Sequence, residues 1–124
     1  MFLRITNGID VIYLPKNKCS NEELSKFVDT SDEWVSKRSG IKFRHFVSKD
    51  ESTSDMAVNA SFNAIKNAKI KKEDIDLIIV ATTTPDNTFP ATATLVQKKI
   101  GINAVSFDVQ AVCAGFVFAL SIAK

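Results

Sequence analysis

"IDLIIVATTT", Ile75–Thr84, is a nearly continuous apolar run that ends in three threonines. A run of this length and composition predicts a strand that is buried on both faces of a parallel or mixed sheet. A second buried strand is predicted at "AVSFDV", Ala104–Val109. Helical patterns lie on either side of both strands, so the order from Ser52 onward is helix, strand, helix, strand, helix. This alternation predicts an α/β domain in which helices cover a sheet.

The helices around these strands have distinct signatures. The helix before Ile75 carries small residues at helical spacing, which form a face that can lie close to a sheet; they are Ala57, Ala60, Ala64 and Ala68. The helix between the strands is predicted to begin at Pro90 and to end at Gly101. The last helix, "CAGFVFALSIAK", is strongly apolar and reaches Lys124 without a cap, so we expect a piece of a longer protein.

The preceding region is predicted to form two short helices and a strand. Ser20 and Glu23 form one capping box, and Thr30 and Glu33 are predicted to form a second. Gly40 supplies the stop signal of the second helix. The stretch "GIKFRHFVSKDES" that follows alternates as a strand does.

Composition limits the possible functions of the chain. The sequence has 124 residues, 45% hydrophobic and 24% charged, which suits one globular unit. It contains no apolar run long enough to span a membrane and no secretion signal, so a cytoplasmic protein is expected. Two distant cysteines and one histidine argue against a metal site or a disulfide framework. A net charge of +2 without interleaved basic and aromatic residues does not indicate nucleic-acid binding.

Cys113 is the first candidate functional residue. It follows a predicted strand and precedes a predicted helix, at the edge where α/β sheets bind ligands. The partial positive charge of a helix N-terminus stabilises a thiolate, and Ala111, Ala114 and Gly115 leave space for a substrate carbonyl. The backbone amide of the cysteine can donate to an oxyanion. The alternative is an inert cysteine packed in the core.

Four aromatic or basic positions are further candidates, and each allows a functional or a structural interpretation. Trp34 and Arg38 share a helix face, where they can stack on a flat base and hold a phosphate, or Trp34 can simply anchor its helix. Phe89 can line an apolar pocket near Cys113 or contact the next helix as an N-terminal staple. His45, the only histidine, could be a catalytic imidazole, but a lone histidine in an alternating strand is expected to be structural.

Three motifs together carry a family resemblance. The stretches "VDTSDEWVSKRSGIKFRH", "DIDLIIVATTTPDNTFP" and "FDVQAVCAGFVFAL" closely resemble the β-ketoacyl-acyl-carrier-protein synthase III family of the thiolase-like superfamily. The match runs from about Tyr13 to the last residue, in the family's order and approximate spacing.

The resemblance implies both a fold and a reaction. The implied fold is thiolase-like, with two similar halves that each have a mixed five-stranded sheet covered by helices, usually in a homodimer. Residues 1–124 would form most of the first half. In the implied reaction an acyl group, commonly acetyl, passes from coenzyme A (CoA) to the cysteine. Malonyl-acyl-carrier protein then loses carbon dioxide, and its carbanion attacks the thioester to give a β-ketoacyl-carrier protein. CoA thioesters are substrates here, and no cofactor is implied.

The resemblance also assigns site residues. Cys113 matches the nucleophile that accepts the acyl group. Trp34 matches the tryptophan that stacks on the adenine of CoA, Arg38 a basic residue that contacts CoA, and Thr30 a neighbouring contact. Phe89 matches the phenylalanine that reaches the acyl pocket across the dimer interface.

The sequence departs from the family pattern in two places. The glycine-rich opening of the family is replaced by "NGIDVIYLP", with Asp10 and Val11 at positions where small residues are expected. Gly8 and Asp10 are predicted to mark a break between two short strands there. The histidine and asparagine that serve decarboxylation are absent, so this chain alone is predicted not to condense substrates.

Two alternatives remain open from the sequence. Another thiolase-like acyltransferase, such as a type III polyketide synthase or a hydroxymethylglutaryl-CoA synthase, would use the same cysteine. A non-catalytic α/β module would leave Cys113 inert or redox-sensing.

Overall fold

The computed structural model describes residues 2–5 and 9–124, with side chains from Val11 onward. Gly8, the predicted break between the first strands, lies outside these residues. The chain divides into two compact units: one consists of Leu14–Glu51, and the other of the described residues on either side of it.

The described residues form six strands and five helices. The strands are β1 (Phe2–Ile5), β2 (Ile9–Ile12), β3 (Asn17–Ser20), β4 (Phe43–Phe46), β5 (Leu77–Ala81) and β6 (Val105–Val109). The helices are α1 (Asn21–Leu24), α2 (Asp32–Ser39), α3 (Thr53–Ala68), α4 (Thr92–Ile100) and α5 (Gly115–Ile122). Short 3₁₀ turns cover Lys72–Asp74 and Val112–Ala114.

The described strands form three two-stranded sheets. The pairs β1–β2 and β3–β4 are antiparallel, and the pair β5–β6 is parallel. The resemblance implies one mixed five-stranded sheet instead. Strands β1 and β2 bond to each other, and Asp10, which was predicted to mark a break, lies inside β2.

The α/β alternation predicted after Ser52 is confirmed. Helix α4 packs against β5, and Ala57 of α3 belongs to the same core. Over the described residues only Ile78 and Val80 of β5 are buried, so the prediction that this strand is buried on both faces is wrong. The core consists of Ala57, Ile78, Val80, Ala93, Val96 and Ile100. The prediction of a fully buried second strand is wrong, because Val105 in β6 is exposed and the rest of β6 is only half-buried. Strand β6 forms backbone hydrogen bonds with β5 along one edge, but its side chains are only partly covered by the described residues.

The row of small residues on α3 lies where the periodicity predicts. Ala57, Ala60 and Ala64 are at most 1% exposed, and Ala68 at the helix end is half-buried. These side chains end at Cβ, so α3 can approach α4 and the β1–β2 hairpin closely.

One predicted cap is confirmed and one is displaced by a residue. Ser20 and Glu23 form the capping box of α1. The N-cap of α2 is Ser31 rather than Thr30, and its Oγ accepts a hydrogen bond from the backbone amide of Trp34 at 3.1 Å. Thr30 and Ser31 are adjacent and have similar capping preferences, so the sequence alone does not separate them. Ser31 has the extended backbone that an N-cap requires. Gly40 ends α2 in the left-handed conformation, as predicted.

Helix α4 is capped from another element. It begins at Thr92, two residues after the predicted start at Pro90, and its N-cap Ala91 has no side chain that can accept a hydrogen bond. The carboxylate of Asp108 in β6 instead accepts from the amides of Thr92 and Ala93, both at 2.7 Å. A carboxylate there satisfies two unpaired amides and complements the positive end of the helix. Asp108 therefore ties the start of α4 to β6.

The N-terminus of α3 combines a capping box with an ion pair. Asp55 accepts hydrogen bonds from the amide and hydroxyl of Ser52 at 3.0 and 2.7 Å. The Lys99 ammonium of α4 lies 2.6 Å from the other carboxylate oxygen of Asp55. The Lys99 hydrogen bond, followed by those from Ser52, lowers the pKa of Asp55 from 3.8 to about 2. These contacts link the two helices at the surface.

This carboxylate should make stability depend on pH. Because the folded pKa of Asp55 is depressed, its contribution is present above its unfolded pKa and is lost as pH falls from about 4 to about 2. Both side chains are about 40% exposed, so screening limits the effect to about 1 kcal/mol. Denaturant unfolding at pH 5 and at pH 2 measures it. Asp55→Asn should flatten this part of the profile, whereas Asp50→Asn at an exposed position should not. If the free energy of unfolding changed equally between pH 5 and pH 2 in both variants, the pH dependence would not come from Asp55.

Candidate active site

Cys113 lies in the turn that joins β6 to α5. It occupies the middle of the 3₁₀ turn Val112–Ala114, two residues before α5 begins at Gly115, and it is exposed. The predicted location between a strand and a helix is confirmed, but the helix begins two residues after Cys113 rather than at it. The thiol is exposed rather than packed in the core, and its reactivity stays a prediction.

The backbone in front of the cysteine adopts an unusual conformation. Val112 has φ of 45°, in the left-handed region that β-branched residues rarely occupy. Such strain costs on the order of 1–3 kcal/mol and is concentrated at functional sites. It turns the chain sharply between β6 and α5 and leaves the Cys113 side chain exposed.

The small residues beside Cys113 serve packing as well as access. Gly115 is buried, and a Cβ at this position would lie 3.2 Å from the Cβ of Ala81 at the end of β5. The glycine therefore allows the first turn of α5 to approach β5 closely. Ala111 and Ala114 are half-buried and leave the thiol accessible.

A large apolar cavity opens beside the thiol. It has a volume of about 820 Å³, and Cys113 is among its lining residues. Side chains from α3, β5 and α5 form most of the wall, among them Met56, Ile65, Ile79, Phe116 and Leu120. An apolar cavity of this size can hold an acyl chain attached to the sulfur.

Phe89 does not line this cavity and belongs to the loop between β5 and α4. Its ring is 87% exposed, so it neither forms a pocket wall with Cys113 of its own chain nor packs as a staple on α4. The parallel pairing of β5 and β6 places the Phe89 loop and the Cys113 turn after the same ends of neighbouring strands. The contact of Phe89 with the acyl pocket of a second copy of the chain stays a prediction.

The unit Leu14–Glu51 contains the second candidate site. The Arg38 guanidinium lies over the Trp34 ring, 4.3 Å from its centroid, and Trp34 is 54% exposed. The alternative in which Trp34 anchors α2 is wrong, because α2 has no buried residue. The pair presents an aromatic plane and a positive charge to solvent.

Thr30 lies next to the start of α2 and has an unusual hydroxyl. Its Oγ1 atom is buried and makes no hydrogen bond within the described residues. An unpaired buried hydroxyl costs on the order of 1–3 kcal/mol. A polar group of a ligand that reached it would recover that cost.

Other polar residues have structural partners. The Nδ1 atom of His45 lies 2.5 Å from the carbonyl oxygen of Pro15, which agrees with its predicted structural role. Cys19 is half-buried, and its thiol donates to the carbonyl of Ser20.

Over residues 2–5 and 9–124, no group of three or more His, Cys, Asp or Glu side chains is placed to hold a metal ion. The helices of the same residues include none long and apolar enough to cross a membrane.

Comparison with known proteins shows what the chain resembles. No family model matches the sequence. The chain is 61% identical over 112 residues to β-ketoacyl-[acyl-carrier-protein] synthase III of Ehrlichia canis, and 58% identical over 114 residues to that of Neisseria gonorrhoeae. Each match covers 90% of this chain but only 35% or 36% of the relative, so the chain spans about a third of their length.

A solved structure agrees with the sequence comparison. The crystal structure of 3-oxoacyl-[acyl-carrier-protein] synthase III from Aquifex aeolicus matches with a TM-score of 0.79 at 47% identity. The match covers 91% of this chain and 37% of that one. The predicted resemblance and the thiolase-like α/β fold class are thereby confirmed.

Proposed function

We propose that this chain, a homologue of part of the β-ketoacyl-acyl-carrier-protein synthase III enzymes, carries the acyl-accepting cysteine of such an enzyme. The whole protein would start fatty acid synthesis by condensing an acyl-CoA, with acetyl-CoA as the expected primer, with malonyl-acyl-carrier protein. One observation supports this most strongly. A chain 61% identical to a synthase III has its exposed cysteine at the β6–α5 turn, on the wall of an apolar cavity.

In the first step, the Cys113 sulfur attacks the carbonyl carbon of the acyl-CoA thioester. A new sulfur–carbon bond forms, the bond to the CoA sulfur breaks, and CoA leaves as a thiol after taking up a proton. The amides of Ala114 and Gly115 already donate to the carbonyls of Ala111 and Val112. The Cys113 amide is therefore the donor that we assign to the oxyanion.

In the second step, the acyl group leaves Cys113. Malonyl-acyl-carrier protein loses carbon dioxide, and the carbanion attacks the thioester carbon to form a new carbon–carbon bond. The sulfur is released as a thiolate and the cysteine is regenerated. The histidine and asparagine assigned to this step in the family have no match here, since the only histidine is engaged with Pro15.

CoA is assigned to the surface around α2. The adenine would stack on the Trp34 indole, and the Arg38 guanidinium would contact a phosphate. The unpaired hydroxyl of Thr30 would gain a hydrogen-bond partner when CoA binds. Exposure of the indole and the empty hydrogen-bonding capacity of Thr30 both support a ligand at this surface.

Further parts of the proposal concern assembly and location. The exposed ring of Phe89 would enter the acyl site of a second copy in a homodimer. The protein would act in the cytoplasm without a membrane or nucleic-acid partner. CoA thioesters enter as substrates, and no separate cofactor is assigned.

Acyl transfer to the chain tests this function. The protein is incubated with acetyl-CoA, and its intact mass and the released CoA thiol are measured, with peptide mapping to locate the acyl group. One acetyl group on Cys113 is expected, and added malonyl-acyl-carrier protein should yield no β-ketoacyl product from this chain alone. A chain that gains no acetyl group, or whose Cys113 reacts with iodoacetamide no faster than a model thiol, would contradict the catalytic role. Appreciable condensation by this chain would contradict the assignment of the missing partners.

A further inference from the structure

Helix α2 carries the Trp34–Arg38 pair but is not held by a buried apolar face. None of its eight residues is buried, and only Val35 and Ser36 are half-buried. Packing of an apolar face normally fixes a short helix in place, because so few residues cannot stabilise it by propensity alone. Another interaction must therefore fix the position of α2.

The polar side chain of Asn21 supplies that interaction. Asn21 is 1% exposed, which is unusual for an amide side chain. Its Nδ2 atom donates to Asp32 Oδ1 at 2.7 Å and to the Ile41 carbonyl at 2.8 Å. Its Oδ1 atom accepts a hydrogen bond from the guanidinium of Arg44. The amide therefore joins the first turn of α2, the segment after α2 and strand β4.

The chemistry of the partners fixes the orientation of this amide. Two acceptors face Nδ2 and a cationic donor faces Oδ1, so rotating the amide by 180° would oppose acceptor to acceptor and donor to donor. Ser36 extends the network, because its hydroxyl donates to Asp32 at 3.1 Å and lies 3.4 Å from Asn21 Nδ2. Donation by Asn21, followed by that of Ser36, also lowers the pKa of Asp32, which keeps the acceptor ionised.

We propose that Asn21 is a positioning residue for CoA: through Asp32 it holds α2 so that Trp34 and Arg38 are placed to receive the nucleotide. The proposal rests on the proposed function, since it assigns CoA to this surface. Removing the Asn21 side chain would break three hydrogen bonds that its buried amide makes. They join it to Asp32, to the Ile41 carbonyl and to Arg44. Helix α2 would then have no comparable attachment among its described contacts.

Binding of CoA to variants of the full chain tests the proposal. Trp34 is the only tryptophan, so quenching of its fluorescence by CoA reports binding at α2. Asn21→Ala should weaken CoA binding about tenfold or more. The half-saturating acyl-CoA concentration for Cys113 acylation should rise to the same extent, while the rate at saturation stays unchanged. Ser20→Ala is the matched control, because it removes the side-chain cap of α1 and should leave CoA binding unchanged.

Two further measurements separate positioning from a general loss of folding. Asp32→Ala alone should weaken CoA binding. The double variant Asn21→Ala/Asp32→Ala should bind CoA as well as the more weakly binding of the two single variants, because both changes break the same attachment. Additive losses would overturn the route through Asp32. Amide hydrogen exchange in α2 should accelerate in Asn21→Ala but not in Ser20→Ala.

The outcomes also separate this proposal from the proposed function. If the wild-type chain does not bind CoA, the CoA assignment falls, and with it the role of Asn21 in CoA binding. If the wild-type chain binds CoA but Asn21→Ala binds equally well, or if α2 exchanges at the wild-type rate in that variant, only the role of Asn21 is overturned. Equal loss of binding in Asn21→Ala and Ser20→Ala would likewise assign the effect to general stability.

Discussion

Replacing Cys113 with serine is expected to reduce acyl transfer from acyl-CoA by roughly 10³-fold or more. A serine hydroxyl is a poor nucleophile unless a base removes its proton, and the turn Val112–Ala114 contains no such group. A thiol is intrinsically a much stronger nucleophile than a hydroxyl toward a thioester carbonyl. The change replaces sulfur with oxygen at an exposed position, so the fold should be unaffected.

Cys19→Ser provides the matched control for this prediction. Cys19 is the other thiol of the chain, is half-buried in β3 and belongs to the other unit. The measurements are the rate of CoA release and the mass of the acylated protein. Acylation should persist in Cys19→Ser and disappear in Cys113→Ser. Retained acylation in Cys113→Ser would move the acceptor to another side chain and remove the basis of the proposed mechanism.

Local patterns predicted most of the chain after Ser52. The apolar run at β5 and the alanine row of α3 each depend on residues close together in the sequence, and both lie where the periodicity places them. Gly40 and Gly101 end their helices in the left-handed conformation, which their residue type allows directly. Cys113 was placed correctly because it is the residue that follows a strand and precedes a helix.

Features that depend on distant partners were missed. Strand β3 has little apolar pattern of its own and forms because Asn17–Ser20 pairs with β4 more than twenty residues later. Asp108 caps α4 from β6, and nothing in the sequence around Thr92 indicates an acceptor from another element. No local pattern singles out Asn21, because its partners Asp32 and Arg44 become neighbours only in the folded unit.

The site was predicted unevenly for a similar reason. Trp34 and Arg38 are four residues apart on one helix, so their stacking followed from helical geometry. Whether Trp34 is exposed depends on the packing of α2, so the residues alone leave both alternatives for Trp34 open. The positive φ of Val112 is not signalled by its residue type, since a valine is among the residues that most disfavour it.

Enlarging the small residue at position 57 should have the largest effect on stability. Ala57 is 1% exposed and belongs to the core with Ile78, Val80 and Val96. Ala57→Leu adds three carbon atoms where α3 packs against the sheet, so side chains must leave their preferred rotamers or the helix must move outward. We expect the free energy of unfolding to fall by about 2 kcal/mol, a large share of the stability of a domain of this size.

Asn59→Leu introduces the same residue two positions later on the same helix, at a site where the leucine side chain can extend into solvent. Asn59 is exposed, and leucine has a higher helix propensity than asparagine, so the free energy of unfolding should change by no more than about 0.5 kcal/mol. Denaturant unfolding followed by circular dichroism measures both variants. A loss in Asn59→Leu as large as that in Ala57→Leu would mean that leucine itself, rather than overpacking, destabilises α3. Equal stability of Ala57→Leu and the wild type would show that α3 can move away from α4 and the rest of this core at no cost, which contradicts the close approach that its alanine row indicates.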